Sequence, residues 1–183
     1  MKHIQKILLL SQGFLISAFA MLSPIYAIFV ERIGGGILAA SSAAMIFSIA
    51  TGIAVYIISR WEDSVKHQEK LLRLGYALSA LGFLGYIFVK NVYHLFVVQV
   101  LLGLSVAVRS PAFDALYSKS LDHQKRASQW GNWETMAYLV SATAALVGGY
   151  IATNFGFKSL FMVMFICSLV ALLFSLRKWK NPP

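Results

Sequence analysis

Residues 135–176 read TMAYLVSATAALVGGYIATNFGFKSLFMVMFICSLVALLFSL, two apolar stretches parted by Asn154-Phe155-Gly156-Phe157-Lys158, with Lys158 the one charge in the segment. Each stretch, 135–153 and 159–176, is close to the ~20 residues that cross ~30 Å of hydrocarbon at ~1.5 Å per helical residue. Outward from this hairpin, apolar runs of the same kind occupy 7–30, 37–59, 71–89 and 92–108. With their polar ends included, the predicted helices cover about 7–30, 37–59, 71–89, 92–118, 131–154 and 158–176 of a single domain, 1–183.

The composition agrees: 58% of the residues are hydrophobic and the mean hydropathy is +0.70, too apolar for a water-soluble domain around one core. A backbone in lipid must satisfy its own hydrogen bonds, so runs of this length form helices. The strict alternation of a porin-like barrel is absent. The expected fold class is therefore all-α, a membrane protein built as a six-helix bundle. Lys2 and Lys6 before an apolar run ending in Ala18-Phe19-Ala20 imitate a secretory signal. The run continues through Pro24, Tyr26, Phe29 and Val30, however, and reads as an uncleaved first span.

The chain holds 16 Lys and Arg against 7 Asp and Glu, a net charge of +9, and the placement of those charges gives the excess its meaning. Lys2, Lys6, Arg60, Lys66, Lys70, Arg73, Lys119, Lys125, Arg126, Arg177, Lys178 and Lys180 fall on one side of the predicted membrane, and only Arg32, Lys90 and Lys158 on the other. The positive-inside rule then puts both termini and the longer loops in the cytoplasm of a cell with the protein in its plasma (inner) membrane. Anionic lipid headgroups, not nucleic acid, are the expected partner of these charges. Trp61, Trp130, Trp133 and Trp179 all stand near predicted cytoplasmic ends, where an indole prefers the headgroup layer.

Several chemistries are excluded. Cys167 is alone, so there is no internal disulfide, and His3, His67, His94 and His123 lie at or beyond helix ends without ligand spacing, so no metal and no cofactor is expected. Gly103-Leu104-Ser105-Val106-Ala107 imitates an intramembrane serine protease motif, yet no histidine base lies within the membrane. With no phosphate-binding glycine loop and no soluble catalytic domain, the chain is not expected to be an enzyme.

Polar groups inside the apolar runs are the functional candidates. Gln12, Phe19, Ser23 and Tyr26 form a stripe on the first helix. Gln99, Gly103, Val106, Ser110 and Tyr117 form one on the fourth, and Glu134, Tyr138 and Ser141 one on the fifth. Such stripes suit a wet central cavity, although ordinary interhelical hydrogen bonding would use the same residues. Gln12, Tyr26, Gln99, Ser110 and Tyr138 are the candidate cavity residues, and Arg109, Asp114 and Glu134 the candidate coupling or gating charges. Arg109 in mid-membrane would cost about 2.5–3.5 kcal/mol. Eleven Val, Leu and Phe residues in 92–108 offset it by about 3–7 kcal/mol. Arg109 and Asp114 stand about 140° apart on a helix and should not pair, which leaves Glu134 as a candidate partner for the arginine. Ala137, Ser141, Ala145 and Gly149, four apart, make a smooth face for close helix approach, as do Gly75, Ser79 and Gly82.

Taken in order, Gln99 to Gly103, Pro111-Ala112, a charged turn ending in Arg126-Ala127, Gly131, Gly148-Gly149 and Asn154 to Lys158 resemble helices four to six in the N-terminal half of a major facilitator superfamily transporter. The family's Gly-x-x-x-Asp-Arg-x-Gly-Arg loop signature is poorly kept: Asp63 matches its aspartate, a further gating candidate, and Ser59 stands in the glycine place. Gln99 replaces the arginine common early in helix four of drug-proton antiporters, and Ala144-Ala145 replace a Gly-Pro. Full-length members carry two six-helix halves related by an axis along the membrane normal. The resemblance therefore implies a half-size secondary transporter of a small solute, paired with a second copy of itself as a parallel homodimer and working by alternating access. Met1 followed by basic residues, and Arg177 to Lys180 at the far end, read as natural ends. The competing expectation is a non-transporting membrane subunit or scaffold that packs on another membrane protein.

Overall fold

The computed structural model describes residues 3–62 and 67–177, all of their regular structure helical. The helices are α1 (His3–Leu22), α2 (Tyr26–Arg32), α3 (Ile37–Glu62), α4 (Gln68–Ile87), α5 (Val92–Ser120) and α6 (Arg126–Ser175), with a 3₁₀ turn at Ser23–Ile25 between the first two. The expected single helix over 7–30 is thus interrupted. Pro24 cannot donate to the preceding turn, and the tighter 3₁₀ geometry takes up the break. The expected hairpin after residue 153 takes an unusual form, because α6 runs for 50 residues with non-helical backbone only at Gly156 (φ 80°, ψ 168°). A continuous helix of that length would measure about 75 Å, more than twice the hydrocarbon thickness. A glycine that accepts positive φ makes the bend possible. Gly34, also at positive φ, ends α2: its N–H donates to Glu31 O at 3.0 Å and that of Gly35 to Val30 O at 3.0 Å. Asn91 caps α5, its side chain accepting from His94 N at 3.0 Å.

The principal packing pairs α1 with α6, α4 with α5, α3 with α5 and α4 with α6. Where helices come closest the sequence supplies glycine. Gly75 lies against Arg109 Cα and Cβ, Gly148 against the Met21 backbone, and Gly103 against the Phe47 carbonyl. Between Gly75 and Gly82, Ser79 donates to Ser105 Oγ at 3.0 Å, a polar stitch across α4 and α5. Leu8, Leu15, Leu72, Tyr76, Phe83, Leu95, Phe161 and Met164 form the centre of the core.

Among the described residues four segments are long and apolar enough to cross a membrane: Ile4–Arg32, Ile37–Trp61, Val92–Ser120 and Arg126–Ser175. The most apolar stretch of Val92–Ser120 is 50% buried and that of Ile37–Trp61 only 11%, so α5 is central and α3 peripheral. Met45, Ile49, Ile53 and Ile57 on α3 are all more than half exposed. A face of that size requires lipid or another protein surface in place of water.

Candidate functional site

The residues around the Pro24 break open a cavity of about 660 Å³, to which every helix contributes. Gln12, Phe19, Ser23 and Tyr26 come from the first segment, Phe47 and Ala44 from α3, Phe83 and Tyr86 from α4, Gln99 and Arg109 from α5, and Ser141, Ala145 and Met164 from α6. Ala44 on α3 and Ser141 and Ala145 on α6 all border it, yet among the described residues α3 and α6 do not pack extensively on one another. The cavity is left unclosed between these two helices.

Its polar groups are held in two clusters. Gln99 donates through Nε2 to the Tyr26 hydroxyl and, at 3.3 Å, to that of Tyr86. The Tyr76 hydroxyl lies 3.1 Å from Gln12 Oε1 and 3.2 Å from Ser11 Oγ. Tyr86 is also stacked on Phe161 (5.0 Å between centroids), with Phe29 and Phe157 alongside and the Arg32 guanidinium 4.9 Å over the Phe157 ring. Of this aromatic cluster Tyr86 lines the cavity, while Phe29, Phe157 and Phe161 border a separate, smaller pocket beside Arg32.

The sequence profile of the Major Facilitator Superfamily matches residues 8–183. The chain belongs to that superfamily. It is an integral membrane protein of a transporter family and not an enzyme. A Bacillus subtilis relative described as the uncharacterized MFS-type transporter YitZ is 25% identical over 145 residues, covering 79% of this chain and 87% of the relative. The multi-drug resistance efflux pump PmrA of Streptococcus pneumoniae is 26% identical over 153 residues, covering 81% of this chain but 38% of the pump. Among solved structures the POT family transporter PepTSo superposes with a TM-score of 0.73 at 13% identity, over 96% of this chain and 37% of that one, which shows the fold alone. Against these two longer transporters this superfamily member spans well under half the length.

Within this member of the superfamily, Gln12, Tyr26 and Gln99 stand on the cavity wall, and Arg109 stands with them. Ser110 is half-buried beside Arg109 and does not line the cavity, and Tyr138 is 75% exposed. Asp114 and Glu134 are exposed. Among the described residues the ion pair present is His67 with Glu69, so Arg109 is not paired with Glu134. Arg109 is buried and lines the cavity, whereas Glu134 and Tyr138 are exposed and do not line it. Asp63 lies outside the described residues, as do Lys66 and Trp179. The first-helix stripe enters the cavity whole, but the fourth-helix stripe does not. Gly103 is consumed by close contact with α3, and Tyr117 packs on Trp130 and donates to Gln129 O at 2.7 Å.

Tyr76 and Tyr86 were missed by sequence reasoning. The available signal is tyrosine well inside an apolar run, away from the headgroup belt, where a buried hydroxyl requires a partner. Gln99→Leu removes the donor to both Tyr26 and Tyr86. The expected loss of stability is about 0.5–2 kcal/mol, the range for interhelical hydrogen bonds in membranes. Thermal unfolding in detergent measures it, and an unchanged midpoint would mean that the two tyrosines do not depend on Gln99.

Proposed function

We propose that this chain is one half of a secondary transporter of a small solute, that it crosses the plasma (inner) membrane six times with both termini in the cytoplasm, and that two parallel copies enclose the transport pathway. The observation that carries the reading is the cavity of about 660 Å³ left unclosed between α3 and α6. Its volume suits a small molecule. Its wall combines aromatic and aliphatic surface with a few fixed polar groups, as solute sites do.

A two-fold axis along the membrane normal, through the open side, would set α3 of one copy against α6 of the other, and the reverse. Both rims are smooth. Ala40, Ala44, Ser48 and Gly52 repeat at four-residue spacing on α3, and Ala137, Ser141, Ala145 and Gly149 do so on α6. Nothing lies within 4 Å of the position a side chain would occupy at Gly52 or Gly149. Small-residue rows of this kind let two helix backbones approach closely in lipid. Rocking of the two bundles about the shared site would expose it to each side in turn. The aromatic cluster of Phe29, Tyr86, Phe157 and Phe161 is placed to close the pathway toward the side of Arg32 and Lys158.

The test is a disulfide between copies. In a Cys167→Ala background, Ser48→Cys and Ala145→Cys placed in the same chain are expected to give a covalent dimer on mild oxidation in membranes. Val97→Cys, on an exposed part of α5 away from the cavity, is the control. Dimer no more abundant than with Val97→Cys, together with a monomeric mass in mild detergent, would sink the paired-half reading in favour of a subunit that docks elsewhere.

A further inference from the structure

We propose that the cavity is built for an amphipathic organic anion, a carboxylate whose charged head lies against Arg109 and whose apolar body rests among the aromatic rings. This rests on the transporter reading, whose solute class it names. Arg109 is 8% exposed and lines the cavity, and its Nε is buried without a hydrogen-bond partner among the described residues. No carboxylate among them comes within ion-pair distance of it. A guanidinium does not shed its proton, so the charge remains in a site that offers it little solvation.

The rest of the wall gives that charge no counterpart. Its polar side chains are amides and hydroxyls, chiefly Gln12, Gln99, Tyr26 and Tyr86, with no acidic side chain among them. A cationic solute would meet Arg109 as a like charge, and a neutral one would bring no counter-charge to it. A carboxylate can accept from the planar fork in the bidentate manner that makes arginine its usual partner. Phe19, Phe47 and Phe83 supply apolar surface for the remainder of such a molecule.

The test compares 2-naphthoate, its neutral carboxamide and 2-naphthylmethylamine as stabilisers of the purified protein, since a ligand that binds only the folded state raises its unfolding temperature. Naphthoate is expected to bind about 10- to 100-fold more tightly than the amide, the usual worth of a hydrogen-bonded charge, and the amine not at all. Arg109→Gln is expected to remove the preference for acid over amide, and Arg109→Lys to restore part of it. Equal binding of acid and amide by the parent would overturn the proposal, and this comparison stands even if the Arg109 variants fail to fold. So would a preference that survives in Arg109→Gln. Stabilisation that required phosphatidylglycerol and was insensitive to naphthoate would assign Arg109 to a lipid headgroup and overturn it too. The inter-copy disulfide reports on the paired halves independently: a missing dimer with the naphthoate preference intact supports the anion site and removes only the pairing.

Discussion

Gly148→Ala is expected to cost about 3 kcal/mol or more, at the upper end of overpacking effects. A methyl group there would overlap the Met21 carbonyl oxygen and sit 2.6 Å from Met21 Cα. Those are backbone atoms, so no rotamer change relieves the clash and α1 must move away from α6. This contact is part of the packing between α1 and α6, and Met21 precedes the Ser23–Ile25 turn that shapes the cavity. The neighbouring Gly149→Ala is the control. Nothing lies within 4 Å of its added methyl, and the gain in helix propensity is worth up to about 1 kcal/mol. Thermal unfolding of both proteins as monomers in detergent should separate them by several degrees. Matching midpoints would refute the close approach of α1 and α6.

Tyr76→Ala is expected to cost about 3–5 kcal/mol, the range for truncating a fully buried aromatic ring. Tyr76 is wholly buried, and its hydroxyl is the hydrogen-bond partner of Gln12 Oε1. Tyr76→Phe keeps the ring and removes only the hydroxyl, so its cost should fall to about 0.5–2 kcal/mol. In that variant Gln12, on the cavity wall, loses its anchor to α4, and naphthoate binding is expected to weaken as well. The two variants are compared by thermal unfolding and by naphthoate binding. A Tyr76→Phe protein as unstable as Tyr76→Ala would shift the main contribution from ring packing to the hydroxyl.

Much of the cavity wall was legible as helical periodicity. Gln12, Phe19, Ser23 and Tyr26 recur at intervals of seven, four and three residues, one face of a helix, and the structure puts all of them on the wall. Periodicity finds a face but not what the face meets. On α5 it joined Gln99, which lines the cavity, to Gly103 and Tyr117, which are spent on neighbouring helices. On α6 it joined Ser141, on the wall, to Tyr138, which is exposed. Tyr76 and Tyr86 reach their partners across 64 and 13 residues of sequence, separations on which a helical repeat is silent.

That the chain is helical and lies in a membrane could be read from its residues alone, because hydrocarbon thickness and the cost of an unpaired peptide group act on each apolar run separately. Those are local conditions, readable one segment at a time. Helix packing set the rest: Arg109 borders the cavity with no carboxylate of the described residues within ion-pair distance, and α3 and α6 border it without packing extensively on one another. The environment of a buried charge is set by side chains from several helices at once, and which helix faces converge depends on close approaches such as Gly75 on Arg109 and Gly148 on Met21.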